Sequence, residues 1–490
     1  MPRKHIKAIL KLMPYLKNKM LIDKSLTELA SGLINKEFSS EEIVKECFDK
    51  IEKINSKLNA FTTVLDKDEV IKKAREKDNK RTENNNSLYG LPFIIKDSYN
   101  TRGFPTTVAS NVLKNYISPY DATVYSRILN AGAILIAKTN MDAWGHGASS
   151  ENNDYGPVRN PWDTSRVAGG SSGGNAAAIS SRMTTFGIGE DTGGSIRNPS
   201  SWCNITGLKV TYGRTSRYGC VPYVSSFDTM GPMAKSAEDC ALILQTMAGQ
   251  DPLDATSSPK AVPDYSKNLQ NRISGLVLGM PKECYAKGLD PEIKSSIEKA
   301  AEQFQQLGVK IKEISIPLLD YGVAVYYLIG TSETSSNLAR YDAVRYGQDR
   351  SNFTKETIRR IMLGTYALSA GYYDAYYRKA QKGRTLFIKE YNKALSECDA
   401  ILMPVEPMVA TKIGELINDP IQNMLADIYT CQTPTGLPSL ALPCGFNQSG
   451  MPIGMQLIGK MFTEEKLLNI GHQYQQMTDW HKRKPPLIEK

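Results

Sequence analysis

The sequence predicts an α/β fold, and three observations carry that reading. Short apolar runs alternate with amphipathic helical stretches, the pattern of helices layered on a sheet. The balance is 41% hydrophobic and 23% charged over 490 residues. That is a soluble globular composition, long enough to bury a large core without disulfide or metal staples. Thirdly, residues 169–194 hold eight glycines. Asn175-Ala-Ala-Ala-Ile179 and Phe186-Gly-Ile188 interrupt that stretch with groups that can pack, so it reads as turns inside a core, not as a linker.

The elements follow in order. Residues 1–22 carry no acid and hold Arg3, Lys4, Lys7, Lys11, Lys17 and Lys19. Ile6, Ile9, Leu10, Met13 and Leu16 recur at helical spacing, so residues 1–24 read as a basic amphipathic extension. A surface helix or frayed terminus is the plain reading, a tRNA or partner contact the alternative. The lack of serine fits a mitochondrial presequence poorly. Ser39 and Glu42 form a capping box, followed by an apolar face of Ile43, Val44, Cys47, Ile51 and Ile54. Residues 67–86 read as a helix and then a loop ending in Asn84-Asn85-Asn86. Strands are expected at 91–95, 133–137, 276–279, 400–405, 439–443 and 452–458. Helices are expected around 121–131, at 291–307 and at 464–477. Residues 250–270 are polar, a surface connection. Residues 25–487 are read as one domain, with the motif-bearing core at about 90–240.

Composition excludes several chemistries. The four histidines, His5, His146, His472 and His481, show no HExxH or paired spacing, which argues against a zinc hydrolase and any other metal site. A Ser-His-Asp triad would have to use His146 or a C-terminal histidine. The eight cysteines include no CxxC and read as reduced thiols of a cytosolic protein. No apolar run reaches about 18 residues, so no membrane span is expected. A net charge of +9 is a mild excess and reads as solvated surface.

Three features could carry chemistry together. One is Lys96, ending the apolar run Leu91-Pro-Phe-Ile-Ile95. Another is Gly169-Gly170-Ser171-Ser172-Gly173-Gly174. The third is Asp191-Thr192-Gly193-Gly194-Ser195-Ile196-Arg197. A serine hydroxyl needs a base to become a nucleophile. A lysine serves if it is neutral, and burial favours its neutral form. Glycines before Ser195 leave backbone N–H groups uncovered, as an oxyanion hole requires. The P-loop pattern fails, because no Lys-Ser/Thr follows the glycines. The GxSxG elbow fails at Ile196 and Arg197.

These motifs resemble the amidase signature family. The match runs through Gly169-Gly-Ser-Ser-Gly-Gly-Asn175, Gly189-Glu-Asp-Thr-Gly-Gly-Ser-Ile-Arg-Asn-Pro-Ser-Ser201 and Thr206-Gly-Leu-Lys-Val-Thr-Tyr-Gly-Arg-Thr-Ser-Arg-Tyr-Gly219. It implies an amidase-signature fold, a large twisted mixed sheet covered by helices on both sides. Lys96 lies 75 residues before Ser171, and Ser171 lies 24 before Ser195, the order and spacing of the family's Ser–cis-Ser–Lys triad. The resemblance makes Ser195 the nucleophile, Ser171 the bridging serine after a cis peptide, and Lys96 the base. Thr192, Gly193, Gly194 and Ser195 would supply the oxyanion-hole N–H groups.

Within the family, the chain is similar to the branch that serves as glutaminase subunits of tRNA-dependent amidotransferases. The segments are Asn160-Pro-Trp-Asp-Thr-Ser-Arg-Val167, Asp251-Pro-Leu-Asp-Ala-Thr-Ser257, Ser335-Ser-Asn-Leu-Ala-Arg-Tyr341 with its continuation to Gly347, residues 364–381 and Trp480-His-Lys-Arg-Lys-Pro-Pro-Leu487. This implies a cytoplasmic heterotrimer, an organellar one being the other possibility. Its B subunit would bind misacylated tRNA, ATP and Mg²⁺, and its C subunit would join the other two. This chain itself would need no cofactor. Glutamine would be held by Arg360 (Arg359 being the other register), Asp427, and Tyr326 or Tyr327. A stand-alone amidase for small or aromatic amides is the alternative. Val210, Cys203-Asn204 and His146-Gly147-Ala148 depart from the family pattern, the last in a loop that lines its site. His146 is read as lining the pocket or the surface, not as a base.

Overall fold

Several helix starts carry their cause in the sequence. Ser39 caps Ser40–Leu58, its hydroxyl taking the Glu42 N–H while the Glu42 carboxylate takes the Ser39 N–H. The face of that helix expected to be apolar is buried. The computed structural model describes residues 20–82, 86–285 and 288–488. Residues 1–19, most of the basic extension, lie outside the described residues, as do Asn84 and Asn85. Where the extension ends, Ile22 is buried and Asp23 pairs with Arg182 and Lys484.

The strands are β1 (Phe61–Val64), β2 (Pro92–Lys96), β3 (Ile134–Thr139), β4 (Phe186–Asp191), β5 (Thr206–Lys209), β6 (Thr229–Ala234), β7 (Val277–Pro281), β8 (Lys310–Ile314), β9 (Ala400–Pro404), β10 (Ser439–Phe446) and β11 (Pro452–Ile458). Among the described residues they form one mixed sheet in the order β1-β3-β2-β4-β6-β5-β10-β11-β9-β7-β8. β2 runs parallel to β3 and β4, and β7 parallel to β8 and β9; the other pairings are antiparallel. β2, β3, β4, β6, β9 and β11 are buried along their whole length, as strands covered on both faces are. The edge strands β1 and β8 are partly exposed.

The strands expected from sequence are present with shifts of a residue or two, except that β10 runs three residues further, and β11 matches at both ends. The expected helices appear as Thr123–Asn130, Pro291–Gln306 and Glu464–Met477. The stretch 169–194 is buried throughout and forms the helix Gly173–Ser180 and strand β4.

Two features of this architecture build the site. β2 and β4 are parallel neighbours, so their C-terminal ends lie on the same edge of the sheet and bring Lys96 close to the loop after Asp191. Arg197, fully buried, ties that loop to the C-terminal half through Gln432, Gln456, Thr433 and the Thr430 carbonyl. Over this edge packs a separate apolar cluster that includes Tyr223, Phe227, Tyr326, Tyr327 and Cys431.

Candidate active site

Lys96, the last residue of β2, is fully buried, and its Nζ lies 2.7 Å from Ser171 Oγ. Ser171 sits on the turn before the helix Gly173–Ser180, and the Gly170–Ser171 peptide is cis. The Gly170 N–H donates to Asn198 Oδ1 at 2.9 Å, and the Ser172 N–H to the Ser195 carbonyl at 3.1 Å. Both bonds hold the two serine-bearing turns together.

The Ser195 turn is wrapped around Asp191. The carboxylate of Asp191 accepts the N–H groups of Gly194 (2.9 Å) and Ile196 (3.1 Å) and pairs with Arg197. Burial alone would raise the Asp191 carboxyl; the Arg197 guanidinium outweighs it and holds the group below its ordinary value. The Asp191–Gly194 bond corrects one expectation. The Gly194 N–H is committed to Asp191, so the N–H groups of Thr192, Gly193 and Ser195 are the candidates for an oxyanion hole. Gly194 is needed for another reason. Its φ of +124° is a region that favours glycine, and a Cβ there would lie 2.5 Å from Thr430 Oγ1.

The residues expected to hold glutamine come together beside this turn. Arg360 lies on the buried face of Lys355–Leu368 and donates to Glu356 Oε1 at 2.6 Å, to the Tyr223 hydroxyl, and to the Tyr327 hydroxyl at 3.5 Å. Tyr327 in turn donates to Asp427 Oδ2 at 3.2 Å. One hydroxyl thus bridges the guanidinium and the carboxylate. Thr430 ties Asp427 to the Ser195 turn, its hydroxyl lying 2.7 Å from the Gly193 carbonyl and 3.1 Å from that of Asp427. Tyr326 lies against Gly193, where an added Cβ would meet its ring at 2.4 Å. Its hydroxyl reaches that of Tyr223 at 3.4 Å. Arg359 is partly exposed and pairs with Glu356, whereas Arg360 is buried beside Tyr223 and Tyr327.

Burial pushes Asp427 up to about 7, with Arg360 opposing. His146 is buried with Nδ1 3.0 Å from Thr357 Oγ1 and its ring edge-on to Tyr223. Burial, and then the Arg360 and Arg359 charges, hold it well below its ordinary value. It is therefore a neutral neighbour of the Arg360 array. The array also contains Tyr223, Glu356 and Thr430, which sequence reasoning did not single out. Among the described residues, no cluster of His, Cys, Asp and Glu could hold a metal ion. A cleft of about 820 Å³ elsewhere, lined by residues such as Asp23, Arg182, Lys235 and His472, holds none of the expected site residues.

A mixed sheet with a buried lysine, a contacting serine and a glycine-flanked second serine at one edge defines an amidase-type architecture. The chain belongs to the Amidase family, whose profile matches residues 42–468. It is 46% identical over 480 residues to the A subunit of glutamyl-tRNA(Gln) amidotransferase from Gloeothece citriformis, covering 94% of this chain and 99% of that one. It is 47% identical to the protein of the same name from Nitrosococcus oceani, over 94% of this chain and 99% of the relative. Among solved structures, the A subunit of glutamyl-tRNA(Gln) amidotransferase from Thermotoga maritima superposes with a TM-score of 0.80 at 37% identity, covering 93% of this chain and 94% of that one. Peptide amidase from Stenotrophomonas maltophilia gives 0.81 at 27% identity, over 94% and 98%.

Proposed function

We propose that this chain is the glutaminase subunit of a tRNA-dependent amidotransferase. The observation that carries the reading is the Arg360–Tyr327–Asp427 array beside the Ser195 turn. A free amino acid presents a carboxylate and an ammonium next to the amide to be cut. A buried guanidinium suits the first and a buried carboxylate the second. A stand-alone amidase for simple amides has no need of such a pair. The relatives named for this role support the same reading.

The proposed chemistry uses the Lys96–Ser171 contact and the Ser195 turn bonded to the one that carries Ser171. Ser195 Oγ attacks the side-chain amide carbon of glutamine. Its proton passes to Ser171 Oγ as the Ser171 proton passes to Lys96 Nζ. The oxyanion that forms meets N–H groups of the 192–195 turn. The C–N bond then breaks, and the proton returns through Ser171 to the leaving nitrogen, which departs as ammonia. Water, activated by the same route, cleaves the γ-glutamyl ester and releases glutamate.

Ammonia serves the B subunit, which binds misacylated Glu-tRNA(Gln) or Asp-tRNA(Asn) and activates its carboxyl with ATP and Mg²⁺. The C subunit joins the other two. This chain carries no cofactor of its own, and the complex works in the cytoplasm. The test is co-expression with candidate B and C subunits, followed by glutamine hydrolysis with and without misacylated tRNA. Hydrolysis stimulated by that tRNA supports the reading. Full turnover of simple amides by the isolated chain, with no response to partners, favours the stand-alone amidase.

A further inference from the structure

The residue before the Asp191 turn carries a carboxylate into the catalytic centre. Glu190 is the penultimate residue of β4, 2% exposed, and its Oε2 lies 3.4 Å from Lys96 Nζ. Its backbone carbonyl also faces that nitrogen, at 3.5 Å. With Ser171 Oγ at 2.7 Å, Lys96 Nζ has three acceptors around it. An ammonium has three N–H donors and a neutral amine only two. The surroundings are therefore built for the charged state that Lys96 reaches after it takes the proton.

The other groups around this pair do not supply a competing cation. Asp228, before β6, is pushed up to about 8 by burial first and then by the Glu190 charge. Cys220 and Tyr99 are raised by burial, with Glu190 adding to both. Asp142, on the β3 side of Lys96, is pushed up to about 6 by burial. Lys138 is nearby but is paired with Asp97 at 2.9 Å. Glu190 Oε1 is buried with no hydrogen bond, so this carboxylate is not spent on bracing a turn, as Asp191 is.

We propose that Glu190 is a positioning residue for the base: it holds Lys96 aimed at Ser171 and balances the positive charge that Lys96 acquires during amide cleavage. The inference rests on the reading of Lys96 as the base. Glu190 stands to Lys96 as the aspartate stands to histidine in a Ser-His-Asp triad, orienting the base without itself taking the proton.

The test follows sulfonylation of Ser195 by phenylmethanesulfonyl fluoride in the purified full chain, as a function of pH. In this step Ser195 Oγ bonds to sulfur, fluoride leaves, and the hydroxyl proton goes to Lys96 through Ser171. It needs neither glutamine nor partner subunits. Glu190→Gln keeps the shape and removes the charge. It is expected to slow labelling at the plateau by about 10²-fold, the loss typical of one preorganised electrostatic group. It should also move the low-pH limb to lower pH, since removing a neighbouring negative charge favours the neutral amine. Glu190→Asp should keep the wild-type limb with a smaller loss. An unmoved limb in Glu190→Gln, with or without a slower plateau, overturns the proposal and makes Glu190 a packing residue. If Glu190→Gln does not fold by circular dichroism, Glu190→Ser is measured with the same two criteria. Lys96→Met serves as the control for the underlying reading. If it is labelled at the wild-type rate, the base assignment itself falls, and Glu190 with it.

Discussion

Arg360→Leu separates glutamine recognition from the rest of the proposed reaction. The guanidinium is 2% exposed and sits among Glu356, Tyr223 and Tyr327. If it receives the substrate carboxylate through two charged hydrogen bonds, each contributes about 1.5–3 kcal/mol. Losing both costs about 3–6 kcal/mol, or about 10²–10⁴-fold in kcat/KM at about 1.4 kcal/mol per decade. The fold should tolerate the change, because Glu356 keeps a second partner in Arg359 at 2.6 Å. The assay is transamidation by the reconstituted complex with glutamine or with an ammonium salt as nitrogen donor. Glutamine-driven turnover should fall by about 10²-fold or more. Ammonium-driven turnover should hold, because ammonia bypasses this pocket. Equal loss with both donors would mean that Arg360 supports the fold or an intersubunit contact. Undiminished glutamine turnover would remove it from the site.

Three further outcomes follow from the geometry. Ser171→Ala should lose most glutaminase activity, because Ser171 carries the contact to Lys96, whereas Ser172→Ala should be much milder; the reverse order would place the bridging serine one residue later. His146→Ala should retain more than about a tenth of the rate, since loss of a general base typically costs about 10²–10⁴-fold; a loss of that larger size would reopen a histidine mechanism. Asp427 must be ionised to hold an ammonium, and burial pushes it up to about 7, so the KM for glutamine should rise as pH falls through that value. An acid raised in the folded state stabilises the fold less as it ionises, so Asp427→Asn should raise Tm more at pH 8 than at pH 4. A KM that is flat from pH 6 to 8 would contradict the ammonium role.

The centre of the fold was legible because local chemistry and global position agree there. β2 and β11 are largely apolar runs bounded by turn residues. The turn around Asp191 is held by bonds to residues at most six positions away. Local readability failed where burial runs all round an element or where partners are distant. The helix Gly322–Asn337 buries residues on most of its faces, so no single apolar stripe marks it. Helix Lys379–Ser396 follows a π-helical stretch at Asp374–Arg378, which shifts its period. β8 reads Lys-Ile-Lys-Glu-Ile, too charged to announce a strand, because it is an edge. Arg360 and Asp427 could be named only from resemblance, since Tyr223 joins Arg360 across 137 positions and Tyr327 joins Asp427 across 100. Glu190 was in view within the Gly189–Ser201 motif. What the sequence lacked was the parallel register of β2 and β4, which turns an ordinary acidic residue towards Lys96.

At the centre stands the assignment of Ser195 as the group that cuts the glutamine amide, with Lys96 receiving the proton. It is tested most directly by acid-quenching the complex during turnover with glutamine and mapping modified peptides by mass spectrometry. The expected product is a γ-glutamyl ester on Ser195. The ester should be absent from Ser195→Ala and from Lys96→Arg, because a guanidinium cannot give up its proton to act as a base. A glutamyl group on any other residue, or an ester that still forms at the wild-type rate in Lys96→Arg, would contradict it.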